Sequence, residues 1–231
     1  DLKAPLNSLM GLIDILESES KDPNVLTYLR LMDKSVVKLD TFIRNLTDFS
    51  RITRIEIQHQ PVDVEELVTE IDESLRYMEN SGTVIKSVVV HPGVPLVSDG
   101  FHLGIVLGNL ISNAVKYLDK AKENQWVRVE VFSNPDHAKI IVEDNGVGIP
   151  EKYQSQIFDL FFRATNQSFG SGLGLYITRN AVEKMDGSIT FTSKEGEGTR
   201  FEVTVPNHQG APVSDEVVDM PAINMIDTSD N

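Results

Sequence analysis

DNGVGIP, residues 144–150, follows directly on the apolar-rich run AKIIVE, residues 138–143, and how that junction is read decides the fold. Taken alone, Asn145-Gly146 is a common hairpin signal, so a plain turn between two strands is one reading. Three more stretches carry residues with chemical potential: NLISNAVKY at 109–117, GSGLGL at 170–175 and GEGT at 196–199. GSGLGL lacks the Gly-x-Gly-x-x-Gly spacing of a dinucleotide fold, and no Gly-Lys-Ser/Thr occurs anywhere, so neither a Rossmann site nor a P-loop is supported. Closely spaced glycines still let backbone N–H groups approach an anion where a helix begins at once, as LGLYITRNAVEKM, 173–185, does. Asn109 and Asn113 are four apart and share a helical face with Lys116 and Tyr117 one turn on. That face carries two amides, an ammonium and a ring; alternatively the amides satisfy backbone groups and Tyr117 packs in the core.

Outward from these motifs, hydrophobic period assigns the elements. IEIQHQPVDV, 55–64, reads as a strand leading into the helical pattern VEELVTEIDESLRYME, 64–79, with Asp63 placed to cap it. IKSVVV (85–90), WVRVEVFS (126–133) and AKIIVEDNG (138–146) read as strands, and FHLGIVLGNLISNAVKYLDKA (101–121) as a long buried helix. A helix within 169–185 is followed by a hairpin of GSITFTS (187–193) and GTRFEVTVP (198–206). Strands in pairs with helices between them predict an α/β sandwich, a mixed sheet covered on one face.

The first fifty residues have another texture. Apolar residues at Leu2, Leu6, Leu9, Ile13 and Leu16 alternate steps of four and three, break at ESESKDPN (17–24), and resume at Leu29, Met32, Val36, Leu39, Ile43 and Leu46. This predicts an antiparallel helical hairpin, which two copies would complete as a four-helix bundle; packing against the chain's own second unit is the alternative. The fold class is therefore α+β, with a hairpin at 1–54, an α/β sandwich at 55–206 and an acidic tail or linker at 207–231. Within that tail EVVDMPAINMI, 216–226, is apolar enough to dock.

Composition narrows the function classes. The 231 residues carry a net charge of −14, which disfavours a nucleic-acid partner, since binding a phosphate backbone needs clustered Lys and Arg. The absence of cysteine excludes disulfides and thiolate metal sites and fits a reducing cytoplasm. No run of about 20 apolar residues exists to span a membrane, so no membrane contact by this stretch is expected, while a parent protein anchored upstream is compatible with it. The five histidines, His59, His91, His102, His137 and His208, have no ligand spacing and read as structural or surface residues.

In order, the Asn motif, Asp-x-Gly-x-Gly, a Phe-rich IFDLFFR (157–163), Gly-x-Gly-x-Gly and Gly-x-Gly-Thr resemble the N, G1, F, G2 and G3 boxes of the histidine kinase ATP-binding domain, a fold of the Bergerat ATPase type. The resemblance covers about residues 60–206, and it implies ATP and Mg²⁺ as cofactors. By it, Asp144 accepts the adenine amino group, Gly146, Gly148 and Ile149 pass beside the base, Thr199 helps hold the adenine end and Tyr117 lies against the nucleotide. Asn113 resembles the Mg²⁺ ligand, with Asn109 close by. Lys116 and Arg163 resemble the cations that meet the phosphates, and Gly170, Gly172, Leu173, Gly174 and Leu175 form the lid and the helix start behind it.

The same resemblance explains DLKAPL at residues 1–6, which matches the family's acceptor motif after its histidine. It implies that the phospho-accepting His stands immediately before Asp1, that Asp1 orients it, and that Pro5 is the family's helix proline, which kinks the helix there. Many relatives carry Thr or Asn where this chain has Ala4, which implies weak or absent phosphatase activity. The implied protein is the cytoplasmic core of a sensor histidine kinase, a homodimer that passes a phosphoryl group to the receiver domain of a response regulator. A non-catalytic ATP-binding dimeric scaffold and a Bergerat-fold Ser/Thr kinase are the alternatives.

Overall fold

The structure is a computed structural model and describes residues 3–79, 85–163 and 171–209. Two helices come first, α1 (Lys3–Glu19) and α2 (Pro23–Arg54). The polar break between them works as a helix start: the Asp22 carboxylate accepts from the Asn24 N–H at 2.8 Å, and Pro23 occupies the first turn, where no N–H is needed. With so short a connection α1 packs back along α2 and buries Leu6, Ile13 and Leu29. Residues ahead of Lys3 lie outside the described residues, and the acceptor motif's start, Asp1 included, lies there too.

The remainder is β1 (Gln60–Val62), α3 (Val64–Glu79), β2 (Ile85–Val90), β3 (Leu96–Ser98), α4 (Gly100–Lys116), β4 (Val127–Ser133), β5 (His137–Asp144), α5 (Glu151–Gln154), α6 (Gly174–Lys184), β6 (Ser188–Lys194) and β7 (Gly198–Pro206). Five strands form a mixed sheet in the order β2-β4-β5-β7-β6, with only β2–β4 parallel. Alternation places Val127, Val129 and Val131 of β4 and Val203 and Val205 of β7 inward, against Leu103, Leu107, Leu110 and Ile111 of α4 and Ile177 and Ala181 of α6. The expected one-sided α/β sandwich is thus the observed architecture.

Several elements differ from the expectation. The strand expected across 55–64 shrinks to β1, which pairs with the equally short β3 in a separate two-stranded sheet. Three-residue strands leave no period to read. The long helix ends at Lys116 and not at 121: Tyr117 caps it with φ −103° and ψ 19°, and the Asp119 carboxylate then accepts from the Ala121 N–H to form a turn. The junctions between units also differ. Ile52, in the last turns of α2, is 1% exposed and belongs to the sandwich core. At the other end Asn207, expected in the tail, is buried: its Oδ1 accepts from the Val97 N–H and its Nδ2 donates to the carbonyls of Pro95 and Asn134. Residues 210–231, with EVVDMPAINMI, lie outside the described residues.

The start of α4 is held by a buried pair. Asp99 caps the helix by accepting from the His102 N–H, its other oxygen accepts from the Gln58 N–H, and the His102 ring lies 2.9 Å away, wholly buried. Burial pushes the Asp99 carboxyl up, but the hydrogen bonds from the His102 side chain, Gln58 and the His102 backbone outweigh it and hold the group below the ordinary range. These bonds fix the helix whose far end carries the Asn motif.

Candidate functional site

Strand β5 ends on Asp144, and the β5–β7 register sets Thr199 directly opposite it. The carboxylate is 9% exposed and accepts from the N–H groups of Gly146, at 2.8 Å, and Thr199. Burial dominates those bonds: with a smaller push from Glu143, it raises the carboxyl to about 6. A buried carboxylate raised in this way at a strand end marks a candidate functional group.

The loop after Asp144 is a set of close backbone approaches. Gly148 has φ +67°, and a Cβ there would lie 2.0 Å from the Lys194 carbonyl. No other residue fits. The Ile149 N–H donates to Ser193 Oγ at 2.8 Å, and Ser193 in turn lies 2.9 Å from Thr199 Oγ1, so the hydroxyl ties the loop to the β6–β7 hairpin. The Val147 N–H donates to the Tyr117 carbonyl at 2.9 Å, which brings the end of α4 to the same loop. Asp144, Gly146, Gly148, Ile149, Thr199 and Tyr117 are thereby gathered at one place. Tyr117 caps α4, its N–H still donating to the Asn113 carbonyl at 3.0 Å, and its ring is partly exposed.

A second cluster lies where α4 meets α6. Gly174 opens α6, and a Cβ on it would come within 3.1 Å of Asn109 Oδ1, so the glycine keeps that amide beside the helix start. Leu173 at the cap is buried and supplies no side-chain acceptor. The first N–H groups of α6 are therefore not capped by the residue ahead of them, as an anion site requires. Gly172, with φ +74°, accepts through its carbonyl from the Phe161 N–H at 3.0 Å, joining the Phe-rich segment to this turn. Asn113 and Leu175 are half-buried, Lys116 is exposed in the last turn of α4 and Arg163 is half-buried. Gly170 and residues 164–169 lie outside the described residues. No group of three or more His, Cys, Asp or Glu that could hold a metal ion occurs among the described residues. The Asn109 amide oxygen beside the start of α6 is a hard oxygen donor of the kind Mg²⁺ takes.

Residues 98–209 match the family described as histidine kinase-, DNA gyrase B-, and HSP90-like ATPase. That stretch, just under half of the chain, is similar to the ATPase domains of this family. Beyond that domain, the chain is 28% identical over 243 residues to the aerobic respiration control sensor protein ArcB of Escherichia coli strain K12, covering 98% of the chain and 30% of ArcB. It is 29% identical over 214 residues to the sensor histidine kinase RcsC of the same strain, covering 89% of the chain and 22% of RcsC. The chain thus spans less than a third of these relatives. Among solved structures, full-length ShkA in complex with AMPPNP superposes with a TM-score of 0.66 at 25% identity, over 89% of this chain and 44% of that one.

Two members of the kinase-type domain were not legible beforehand. Ser193 lies in a strand where its hydroxyl has no periodic signature, and Lys122 lies in a polar turn; its ammonium reaches the carbonyls of Asn145 and Gly196, each at 2.7 Å. Only the register of the finished sheet brings either to the loop. The remaining histidines have structural partners, with His91 stacked on Phe132 and His59 against His208.

Proposed function

We propose that this chain is the catalytic core of a sensor histidine kinase, which moves the γ-phosphoryl group of ATP to a histidine and then to an aspartate of a response-regulator receiver domain. The observation that carries the reading is Asp144, a buried carboxylate at a strand end with Thr199 in register. As an acceptor with no donor of its own when ionised, it pairs with the amino group of adenine and leaves guanine's carbonyl unmatched. The sugar and phosphates would then run toward the α6 start, where Gly172, Leu173, Gly174 and Leu175 would supply backbone donors, with Gly170 outside the described residues. Lys116 and Arg163 add positive charge to the phosphates. Asn113 and Asn109 would hold Mg²⁺, which when bound neutralises phosphate charge.

The chemistry asks for positioning more than covalent participation. A neutral imidazole nitrogen forms its bond to the γ-phosphorus as the bond to the β-bridging oxygen breaks and ADP leaves. Asp1, next to the implied histidine, would orient that ring through its other N–H. Ala4 offers no side-chain hydrogen bond to a water, so the kinase direction dominates over dephosphorylation. The hairpin serves as the dimerisation and phosphotransfer element: Leu9, Leu12, Ile15, Leu16, Leu31 and Met32 are about half exposed in one chain, a stripe that a second copy covers. No helix of the described residues is long and apolar enough to cross a membrane.

The test is a chain extended upstream through the residue before Asp1, incubated with γ-labelled ATP and Mg²⁺. An acid-labile, base-stable label that disappears when that residue is changed is expected. An acid-stable label would instead indicate Ser/Thr transfer, and ATP binding without any label would indicate a non-catalytic scaffold.

A further inference from the structure

Beyond Tyr117 a short polar connection, residues 118–126, leads to β4 and carries none of the family motifs. It is built rigidly. The Asp119 carboxylate accepts from the Ala121 N–H, the Lys122 N–H donates to the Asp119 carbonyl, and Gln125 Nε2 donates to the same carbonyl at 2.8 Å. Asn145 locks the connection to the nucleotide loop from the other side, its Nδ2 donating to the Asn124 carbonyl and its Oδ1 accepting from the Trp126 N–H. From this frame the Lys122 ammonium meets three carbonyls: Asn145 at 2.7 Å, Gly146 at 3.4 Å and Gly196 at 2.7 Å.

Three converging carbonyl dipoles repel one another unless a cation sits between them, and an ammonium has three donors, one for each. Two of these carbonyls belong to the residues immediately after Asp144, and the third to the β6–β7 turn that precedes Thr199. We infer that Lys122 is a positioning residue for adenine recognition: its ammonium clamps the Asp144–Gly146 loop to the Gly196–Thr199 turn and holds the acceptor carboxylate and Thr199 at a fixed separation. This inference rests on the adenine-binding reading above. It adds a residue outside every recognised motif, acting through the backbone and not by touching the nucleotide.

The same ammonium is an electrostatic neighbour of Asp144. The charged groups facing that carboxylate are Glu143 on its own strand, which raises it, and Lys122 from the connection, which lowers it. The remaining contacts are the Gly146 and Thr199 N–H groups. Removing Lys122 therefore leaves only the raising charge and moves the carboxyl's titration further up. A residue that merely stabilised the fold would not move that titration.

The experiment is calorimetric binding of ADP to the chain between pH 5 and 9, comparing wild type, Lys122→Met and Lys122→Arg. Lys122→Met should weaken ADP roughly ten-fold, the scale of one charge-assisted hydrogen bond, and shift the acid limb of the affinity profile upward. Lys122→Arg, keeping the charge, should return that limb toward the wild-type position. Wild-type affinity and an unmoved limb in Lys122→Met would overturn the clamp alone, whereas failure of the wild type to bind ADP would overturn the adenine reading and the clamp with it. Should Lys122→Met fail to fold, acetylation of the wild type decides the matter. Lys122 should react more slowly than its exposed neighbour Lys120, and more slowly still with ADP bound; equal rates with and without ADP would overturn the inference.

Discussion

The helical hairpin and the ATPase sandwich differ in what each leaves unfinished. Over α1 and α2 a single chain buries Leu6, Ile13 and Leu29 and leaves Leu12, Ile15, Tyr28, Leu31 and Met32 more than half exposed. In the sandwich the inward apolar residues of β4, β5 and β7, such as Val129, Ile140 and Val203, are closed off by α4 and α6, and the group in an unfavourable setting is a carboxylate, Asp144. An unmet apolar stripe calls for another protein surface, whereas an unmet buried acceptor calls for a small donor. On the proposed function those two partners are a second copy and a nucleotide.

The comparison breaks most visibly at the stripe. Leu12→Asp with Leu16→Asp places two charges where a partner helix should pack, and sedimentation should show the mass falling from twice 25.7 kDa to 25.7 kDa with ADP affinity unchanged. A persistent dimer would mean that another surface joins the copies. Next in size is the junction. Ile52 projects from α2 into the sandwich core, and Lys184 donates to the Ile52 and Ile55 carbonyls at the end of that helix. Ile52→Ala should cost about 3 kcal/mol in chemical denaturation. It should act on the sandwich transition, although the residue belongs to the hairpin's helix.

Asp144→Asn sharpens the contrast from the other side. Burial raises this carboxyl from 3.8 to about 6, so its ionised form destabilises the empty fold by up to about 3 kcal/mol above pH 6, and by nothing below the unfolded value. The variant should therefore be more stable than wild type at pH 8, equal to it near pH 3, and unable to discriminate ADP from GDP. Smallest is Ser193→Ala, which removes the acceptor of the Ile149 N–H; a loss of about 1 kcal/mol and a few-fold weaker ADP binding are expected.

Long periods were legible in the sequence and short contacts were not. Helix α4 and strands β4 and β7 announce themselves because their burial follows the period of the element, β5 by its continuous apolar run, and Asp22 and Asp63 mark helix starts by their chemistry. The motif order groups Asp144, Gly148 and Thr199 although the outer two are 55 positions apart in the chain (199 − 144) and no local rule links them. What stayed hidden depends on register and on chain reversal: β1 with β3, the end of α4 at Lys116, the carbonyls gathered by Lys122, and Asn207, whose amide meets Val97 and the loops around Pro95 and Asn134. A hydroxyl or ammonium that works through backbone carbonyls has no partner visible in sequence.

The central claim, that Asp144 is the acceptor for adenine, is tested most directly by the proton linked to binding. Near pH 6 the empty site holds about half a proton on this carboxyl, and pairing with an amino group favours the carboxylate. Calorimetry of ADP binding in buffers of different ionisation enthalpy, with Asp144→Asn as the reference for protons from the nucleotide's own phosphate, should show up to about half a proton released at pH 6 and almost none at pH 8. Equal proton release by wild type and variant, or equally tight ADP binding by both, would contradict the account.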